Sequence, residues 1–398
     1  MSASLEDWLF APDRLRRLLL IFLVTYYAVL TSSLATSDYM RPRADGYPEA
    51  VDFSCFWAVG QAVMSGNGSQ VYDFTYLSTL QIAVFGHQGE MGGGHAFVYP
   101  PHFLLYLAPL GLLPVFPAMA FWLAATGLGC WAALRWIIPR PLPMMLGAMP
   151  SAVAWNIKLG QSGFLLAGLM GLSLALIEDA PFFGGLALGL LTYKPQLGVV
   201  FPIVLAAAGQ WRVLFGATLS TAVLASVTAL LFGPGLWLEF FRLLASELST
   251  MRAGPLASVT LQTTYGFMIW LGCTPSVAKL LHLAVAVPAV IVICAIWRRP
   301  VPYALKAASL ALGALIATPY LLAYDLTVLA LPATFLLKEI RRSGFLPGER
   351  LAFLAVWLLL FCIVIPIGIF AYAILFGVIV RRVFFAAEPR AFEAPAGQ

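Results

Sequence analysis

The chain has 398 residues, of which 61% are hydrophobic and only 10% are charged. Soluble domains are roughly 45–50% apolar and about 25% charged, so this composition excludes a soluble globular protein and predicts an integral membrane protein. The net charge of +5 does not indicate nucleic-acid binding, because the basic residues occur singly and in pairs, as they do at the ends of membrane spans.

The apolar runs predict an all-α polytopic membrane protein with about twelve spans, forming a single transmembrane domain over residues 1–398. Arg14, Arg16 and Arg17 precede the first run, and the positive-inside rule assigns them to the cytoplasm. With both chain ends in the cytoplasm, most of the 23 Lys and Arg residues fall on that side. The predicted spans are 18–35, 115–136, 143–157, 162–177, 213–232, 276–297, 302–318, 326–337, 351–365 and 367–380, with two half-length helices within 182–209.

Polar segments flank these spans. The pattern predicts a large outer loop at 37–101 with interfacial helices, a second outer loop at 233–272 with a surface helix, and a cytoplasmic tail at 383–398. The apolar run at 103–113 is too short to span, since about 17–25 residues are needed, and it predicts a re-entrant or interfacial helix.

Inside the first outer loop, residues 53–64 predict a short amphipathic helix that lies on the membrane surface. The Gly-Asn-Gly-Ser sequence at 66–69 predicts the turn that ends this helix. Glycines at 92–94 indicate a flexible loop.

The stretch 182–209 is interrupted by Tyr193-Lys194-Pro195-Gln196. Proline breaks a helix and biases the preceding residue away from helical geometry. We therefore expect two half-length helices that meet near the outer surface, with Lys194 below the headgroups in a local cavity.

With this topology, polar side chains converge at the outer ends of the spans. Ionisable groups at membrane depth are costly and are therefore functional candidates. A lysine holds phosphate as a point charge, and a carboxylate can accept a proton. The converging residues are Asp52, Tyr99, His102, Lys158, Gln161, Tyr193, Lys194, Tyr324 and Asp325. Neither the four histidines nor the five cysteines show a metal-binding spacing, so no metal site is predicted.

Several short motifs occur in a fixed order along the chain. They are Asp52-Phe53 with Phe56-Trp57, Tyr72-Asp73, Tyr99-Pro100-Pro101, Gly160-Gln161, Lys194-Pro195, and Pro319-Tyr320 followed by Tyr324-Asp325. This ordered set resembles glycosyltransferase family 87, whose better-known members are the polyprenol-phosphate-mannose-dependent mannosyltransferases of mycobacteria. The resemblance implies a GT-C fold, which is a bundle of membrane helices with an outer-face active site.

The resemblance also implies a reaction: transfer of a sugar from a polyprenyl phosphate to an acceptor hydroxyl, with inversion, at the periplasmic or extracellular face of the inner membrane. Asp52 would be the general base, and Lys194 with Tyr193 would bind the donor phosphate. The partners would be that donor, a lipid or glycan acceptor and the membrane lipids. A monophosphate leaving group beside a lysine is expected to need no metal or other cofactor. The implied substrate-binding residues are Tyr99, His102, Gln161, Tyr320, Tyr324 and Asp325.

The chain departs from the mycobacterial enzymes in one respect, because those enzymes also use a histidine in the later outer loops. Here the only histidine after His102 is His282, inside a predicted span. The resemblance therefore leaves that place to Tyr324 or Asp325.

Each candidate also has a structural interpretation. Asp52 is a favoured residue at a helix start, and Lys194 can extend from a helix end toward the headgroups. Gln161 can satisfy a broken helix end, and Tyr324 with Asp325 can be an interfacial tyrosine followed by a helix cap.

A transporter or flippase of lipid-linked sugars is the alternative function, because broken helices are also typical of transporters. Transporter sites usually lie near the middle of the bilayer, between internal repeats. This chain shows no repeat between its halves, and its polar groups gather at one face, which favours the enzyme.

Overall fold

The computed structural model describes residues 24, 26 and 28, and the ranges 52–86, 95–139, 150–250, 261–360 and 365–385. Most of the first predicted span, the glycine loop at 91–94 and most of the C-terminal tail lie outside the described residues. Within the described ranges the chain is helical and has no strand; a single isolated bridge pairs Leu261 with Leu322.

The described part contains seventeen α-helices, joined in places by short 3-10 turns. In chain order they are α1 Asp52–Met64, α2 Phe74–Phe85, α3 Leu104–Leu107, α4 Val115–Ile137, α5 Pro150–Leu159, α6 Gly163–Ile177, α7 Pro181–Leu190, α8 Pro195–Gly198, α9 Val200–Ala207, α10 Trp211–Phe232, α11 Gly235–Thr250, α12 Thr264–Trp270, α13 Pro275–Arg298, α14 Tyr303–Ala317, α15 Ala330–Ser343, α16 Glu349–Leu359 and α17 Gly368–Phe384.

Three of these helices, α4, α10 and α13, are long and apolar enough to cross a membrane, by length and composition. They confirm the predicted spans 115–136, 213–232 and 276–297, and their ends agree within two residues. The all-α class is confirmed for the described residues, and the apolar helices identify a membrane protein. The total of about twelve spans stays a prediction.

Helix α1 begins and ends within one residue of its predicted bounds, but its surroundings differ from the prediction. Nine of its 13 residues are buried, so it lacks the exposed polar face of an amphipathic surface helix. It packs against the 3-10 turn 108–112, where Gln61 Nε2 donates to the Gly111 carbonyl at 3.0 Å. Trp57 Nε1 donates to the Leu113 carbonyl, also at 3.0 Å. The helix is therefore a wall of the protein interior.

The two segments approach so closely because Gly60 and Gly111 have no side chain. A Cβ atom on Gly60 would lie 2.7 Å from both the Gly111 amide nitrogen and the Leu107 carbonyl oxygen. This close contact anchors α1 to a segment that, as predicted, is too short to span. The segment is a 3-10 turn, one turn of α-helix and a second 3-10 turn.

The predicted break before Pro195 is confirmed. Helix α7 ends at Leu190, a 3-10 turn covers Leu191–Tyr193, and α8 begins at Pro195. Lys194 has φ −122° and ψ 73°, outside the helical region, as expected for a residue that precedes proline.

Helix α15 differs from the predicted span 326–337, because with the preceding 3-10 turn the helical segment runs from Ala323 to Ser343. Arg341 and Arg342 lie in its last turn, where positive charge stabilises the helix dipole.

A cluster of polar contacts joins α15, α16 and α17 where α15 ends. Arg382 contacts both carboxylate oxygens of Glu349, through Nε at 2.6 Å and Nη2 at 2.5 Å. Its Nη1 atom also donates to Ser343 Oγ at 2.8 Å. Arg341, Arg342 and Arg382 lie in the loop and the span end that the sequence assigns to the cytoplasm.

Candidate functional site

A cavity of about 550 Å³ opens where α1, the segment 95–99, the α5–α6 turn and the segment 320–324 meet. Five of the nine predicted site residues line it, so the expected convergence of distant polar groups occurs for these five. They are Asp52, Tyr99, Gln161, Tyr320 and Tyr324. The other lining residues are Cys55, Phe56, His95, Ala96, Val98, Trp155, Leu159, Leu322 and Ala323.

Asp52 is the first residue of α1, and its side chain is 30% exposed. Its Oδ2 atom accepts a hydrogen bond from Gln161 Nε2 at 2.8 Å. Among the described residues the carboxylate receives no bond from an amide of α1, so it does not act as a conventional helix cap. The carboxylate is instead held by Gln161, in the turn between α5 and α6, and it remains accessible from the cavity.

The side-chain amide of Gln161 is oriented by the backbone of the next residue. The Ser162 amide donates to Gln161 Oε1 at 3.2 Å, which turns Nε2 toward Asp52. Ser162 precedes the first residue of α6, so Gln161 binds a backbone amide at that helix end, which is the structural role considered from the sequence. It makes this bond and the bond to the carboxylate at the same time.

The Gly160-Gln161 motif needs glycine at its first position. Gly160 has φ +65°, and a Cβ atom there would lie 2.5 Å from Cβ of Phe53. The turn therefore fits directly against the start of α1, and this fit brings Gln161 to Asp52.

A second buried amide, Asn156, fixes the far side of the cavity. Its Oδ1 atom accepts from the Gly163 amide at 2.7 Å, and Thr327 Oγ1 donates to the Gly163 carbonyl at 2.9 Å. These bonds tie α5, α6 and the 3-10 turn 323–329 together. These bonds place the backbone of the Tyr324 segment beside the turn that carries Gln161.

Aromatic side chains form most of the remaining wall. The Tyr99 ring lies 4.8 Å from Phe103 and 5.5 Å from Phe56, measured between ring centroids. Tyr72 Oη donates to the Tyr99 carbonyl at 2.6 Å. Burial raises the pKa of Tyr99 well above its usual value, with a smaller contribution from Asp325, so the phenol stays protonated. The cavity thus combines flat apolar faces, phenol groups and one carboxylate.

Lys194 and Asp325 do not line the cavity. Lys194 Nζ lies 2.6 Å from Asp325 Oδ1, and the two side chains are 3% and 2% exposed. The ammonium also lies 4.9 Å from the centre of the Tyr324 ring. The local cavity expected around Lys194 is therefore occupied by a carboxylate and an aromatic ring, which together compensate a charge that water does not reach.

The cap role considered for Asp325 is present in the structure. Its Oδ2 atom accepts from the Leu322 amide at 3.2 Å, at the start of the 3-10 turn 323–329. One carboxylate thus serves the ion pair and the turn at the same time.

His102 and Tyr193 also lie away from the cavity. His102 Nε2 is 3.2 Å from Thr192 Oγ1, and its ring stacks on Trp237 with centroids 5.8 Å apart. Tyr193 is fully buried, and its hydroxyl donates to the Ser162 carbonyl at 3.2 Å. Its ring stacks on Phe103 at 4.6 Å. Both residues pack the interior beneath the site.

His95 is the main lining residue that the sequence did not indicate. Its Nδ1 atom lies 3.9 Å from Asp52 Oδ1, and its side chain is 47% exposed. It follows the glycine run 92–94, which reads as a loop and gives no sign of a nearby carboxylate. Trp155 was missed as well; it lines the cavity with Lys158 Nζ 5.6 Å from its ring.

Comparison with known proteins adds one match. The family model described as glycosyltransferase family 87 matches residues 97–324, more than half of the chain. No curated protein and no solved structure gives a significant match. The matched part includes Tyr99, Gln161, Tyr320 and Tyr324, whereas Asp52 and His95 precede it.

The buried ion pair predicts a specific stability effect. Lys194→Met leaves the Asp325 carboxylate buried without its cation, which should lower the free energy of unfolding by about 3–5 kcal/mol. Adding Asp325→Asn removes the orphaned charge and keeps an acceptor for the Leu322 amide, so the double variant should recover much of the loss. Thermal and denaturant unfolding of the purified protein measure the cycle. Lys338→Met, at an exposed lysine of α15, is the matched control, and a single Lys194 variant as stable as this control contradicts the prediction.

Proposed function

This chain belongs to glycosyltransferase family 87, and from that premise we propose that it transfers a sugar from a polyprenyl-phosphate donor to an acceptor hydroxyl with inversion. Family membership makes the protein a glycosyltransferase that uses a sugar donor and an acceptor. It favours the enzyme over the transporter considered from the sequence. The proposal adds the donor type, a lipid or glycan acceptor, the stereochemistry and the base.

The observation that carries the proposal is the Asp52 carboxylate, partly exposed on an aromatic cavity and oriented by Gln161. In the proposed step Asp52 takes the proton of the acceptor hydroxyl as the acceptor oxygen attacks the anomeric carbon. The bond between that carbon and the phosphate oxygen breaks, and its electron pair leaves with the phosphate. Attack opposite the leaving group inverts the anomeric centre. A single base with room for the acceptor suits this displacement.

The aromatic wall supports a sugar substrate. Tyr99, Tyr320 and Tyr324 line the same cavity. Ring faces pack against the apolar faces of a sugar, and phenol groups exchange hydrogen bonds with its hydroxyls. No metal enters this mechanism, because the leaving group carries a single phosphate.

Lys194 remains our candidate for the donor phosphate, with one added requirement. Its ammonium carries three donors, of which one points to Asp325. The Tyr324 ring covers it, so the ring must move aside before a phosphate in the cavity reaches the amine. Tyr193 supports this arrangement through packing, since its hydroxyl already binds the Ser162 carbonyl.

We place the cavity on the periplasmic or extracellular side of the inner membrane. Arg382 lies at the end of α15, and the 3-10 turn that leads into the other end of α15 contains the cavity residue Tyr324. The positive-inside rule assigns such basic residues to the cytoplasm, which puts the cavity on the other side.

The first test of the proposed base is Asp52→Asn. The amide preserves shape but accepts no proton, so transfer from a polyprenyl-phosphate sugar in proteoliposomes should fall by about 10²-fold or more. The matched control is Asp73→Asn, at an exposed aspartate that caps α2 through the Thr75 and Tyr76 amides. Asparagine caps equally well, so that variant should keep its activity. Wild-type turnover in the Asp52 variant refutes the base.

The phosphate role of Lys194 is tested in the stable double variant Lys194→Met with Asp325→Asn. Loss of a charge-assisted hydrogen bond costs about 1.5–3 kcal/mol, so the KM for the lipid donor should rise roughly tenfold or more. The KM for the acceptor should change little. An unchanged donor KM in the folded variant means that the pair is structural and that the phosphate binds elsewhere.

Sidedness is tested with single cysteines at Ser69 and Ser343, both exposed. In a background that lacks the partly accessible native thiols at Cys273 and Cys294 and the thiol of Cys362, a membrane-impermeant reagent added to intact cells should label Ser69→Cys. It should label Ser343→Cys only after the membrane is opened. The reverse pattern places the cavity in the cytoplasm and overturns the proposed orientation.

A further inference from the structure

His95 occupies a chemically distinctive place in the cavity. The His95 Nδ1 atom lies 3.9 Å from Asp52 Oδ1. The His95 side chain is also 47% exposed, so it connects the carboxylate with the surroundings. Among the lining residues in the described part of the chain, it carries the only imidazole. Gln161 has no basic atom and the tyrosines are weak acids, so among these lining residues His95 is the side chain that can accept a proton from the carboxyl group.

The backbone of His95 is held by a buried amide. Gln81 in α2 is fully buried. Its Oε1 atom accepts from the His95 amide at 2.9 Å, and its Nε2 atom donates to the His95 carbonyl at 3.0 Å. A buried amide is costly unless its hydrogen bonds are made, and here both ends are used on one residue. The position of His95 is therefore specified by the fold.

The same amide is tied to the helix that carries Asp52. Ser54 Oγ, two residues after Asp52 in α1, donates to Gln81 Oε1 at 2.8 Å. At the other end of the segment, Tyr72 Oη holds the Tyr99 carbonyl. The segment 95–99 is thus fixed at both ends, with its histidine directed at the carboxylate.

We propose that His95 takes the proton from Asp52 and passes it out of the cavity, and that Gln81 is the positioning residue for this step. The proposal rests on the role of Asp52 as the base. The proton moves from the acceptor hydroxyl to the Asp52 carboxylate, then to the neutral Nδ1 of His95, and then to bulk water. Both side chains return to their starting forms, and no electrons are exchanged.

The observed spacing suits such a relay. At 3.9 Å the two groups are not hydrogen-bonded. A small rotation of the half-exposed ring, or one bridging water molecule, closes the gap. Asp52 Oδ2 is held by Gln161, which leaves Oδ1 as the oxygen that faces His95.

The experiment is chemical rescue of His95→Ala in the full-length protein in proteoliposomes. Turnover at saturating donor should fall about tenfold or more, less than the roughly 10²-fold or greater loss expected for direct acid–base catalysis, because His95 acts through Asp52, and the donor KM should change little. Because the side chain is accessible, added imidazole should restore much of the turnover. Asp52→Asn should show no rescue, and unfolding temperatures check that both variants are folded.

Gln81→Leu tests the positioning role. Leucine fills the space without binding the His95 backbone, so turnover should fall although the imidazole is still present. The matched control on α2 is Thr79→Val, at an exposed threonine whose hydroxyl bonds only within the helix, and it should be unaffected. A Gln81 variant with wild-type turnover removes the positioning role.

Two other outcomes overturn the relay itself. Full activity in His95→Ala shows that Asp52 releases its proton without help. A loss that imidazole does not restore shows that His95 only shapes the wall. In both cases Asp52 can still be the base, whereas a fully active Asp52→Asn variant ends the proposed mechanism whatever His95 does.

Discussion

The candidate site depends on one buried ion pair. Lys194 lies where α7 and α8 are interrupted, and Asp325 lies at the start of the helical segment that leads into α15. A buried charge without its partner costs several kcal/mol. The ion pair, with Lys194 Nζ 2.6 Å from Asp325 Oδ1, therefore holds the two segments together. Tyr324 precedes Asp325 and covers the ammonium. The pair therefore sets where an aromatic wall of the cavity lies.

Three side-chain amides organise the rest of the site within an apolar bundle. Gln161 orients the Asp52 carboxylate, Asn156 fixes the start of α6 against α5, and Gln81 holds His95. An amide offers donors on one side and an acceptor on the other, so it can fix two segments at once. In a protein with few charged residues, these neutral groups achieve a defined geometry without a further buried charge.

The family match and the proposed chemistry cover different parts of the chain. The match spans 97–324 and includes most of the aromatic wall. Asp52 and His95 precede it and reach the site through α1 and the segment 95–99. The Gly160 turn against Phe53 and the hydrogen bond from Gln161 to Asp52 bring the two parts together. The proposed base thus acts on a cavity built mainly by residues distant from it in sequence.

The sequence by itself determined the membrane class, the ends of the long helices and the break before Pro195, because hydrophobic runs and proline act locally. It also indicated the convergence of Asp52, Gln161 and Tyr324. Tertiary structure alone decided which polar groups face the cavity. It paired Lys194 with Asp325 and brought His95 beside Asp52. A local sequence pattern could not indicate these contacts, because the partners are 131 and 43 positions apart in the chain. Whether Lys194 or His95 faces the cavity therefore depends on contacts between distant segments, which form only when the chain folds.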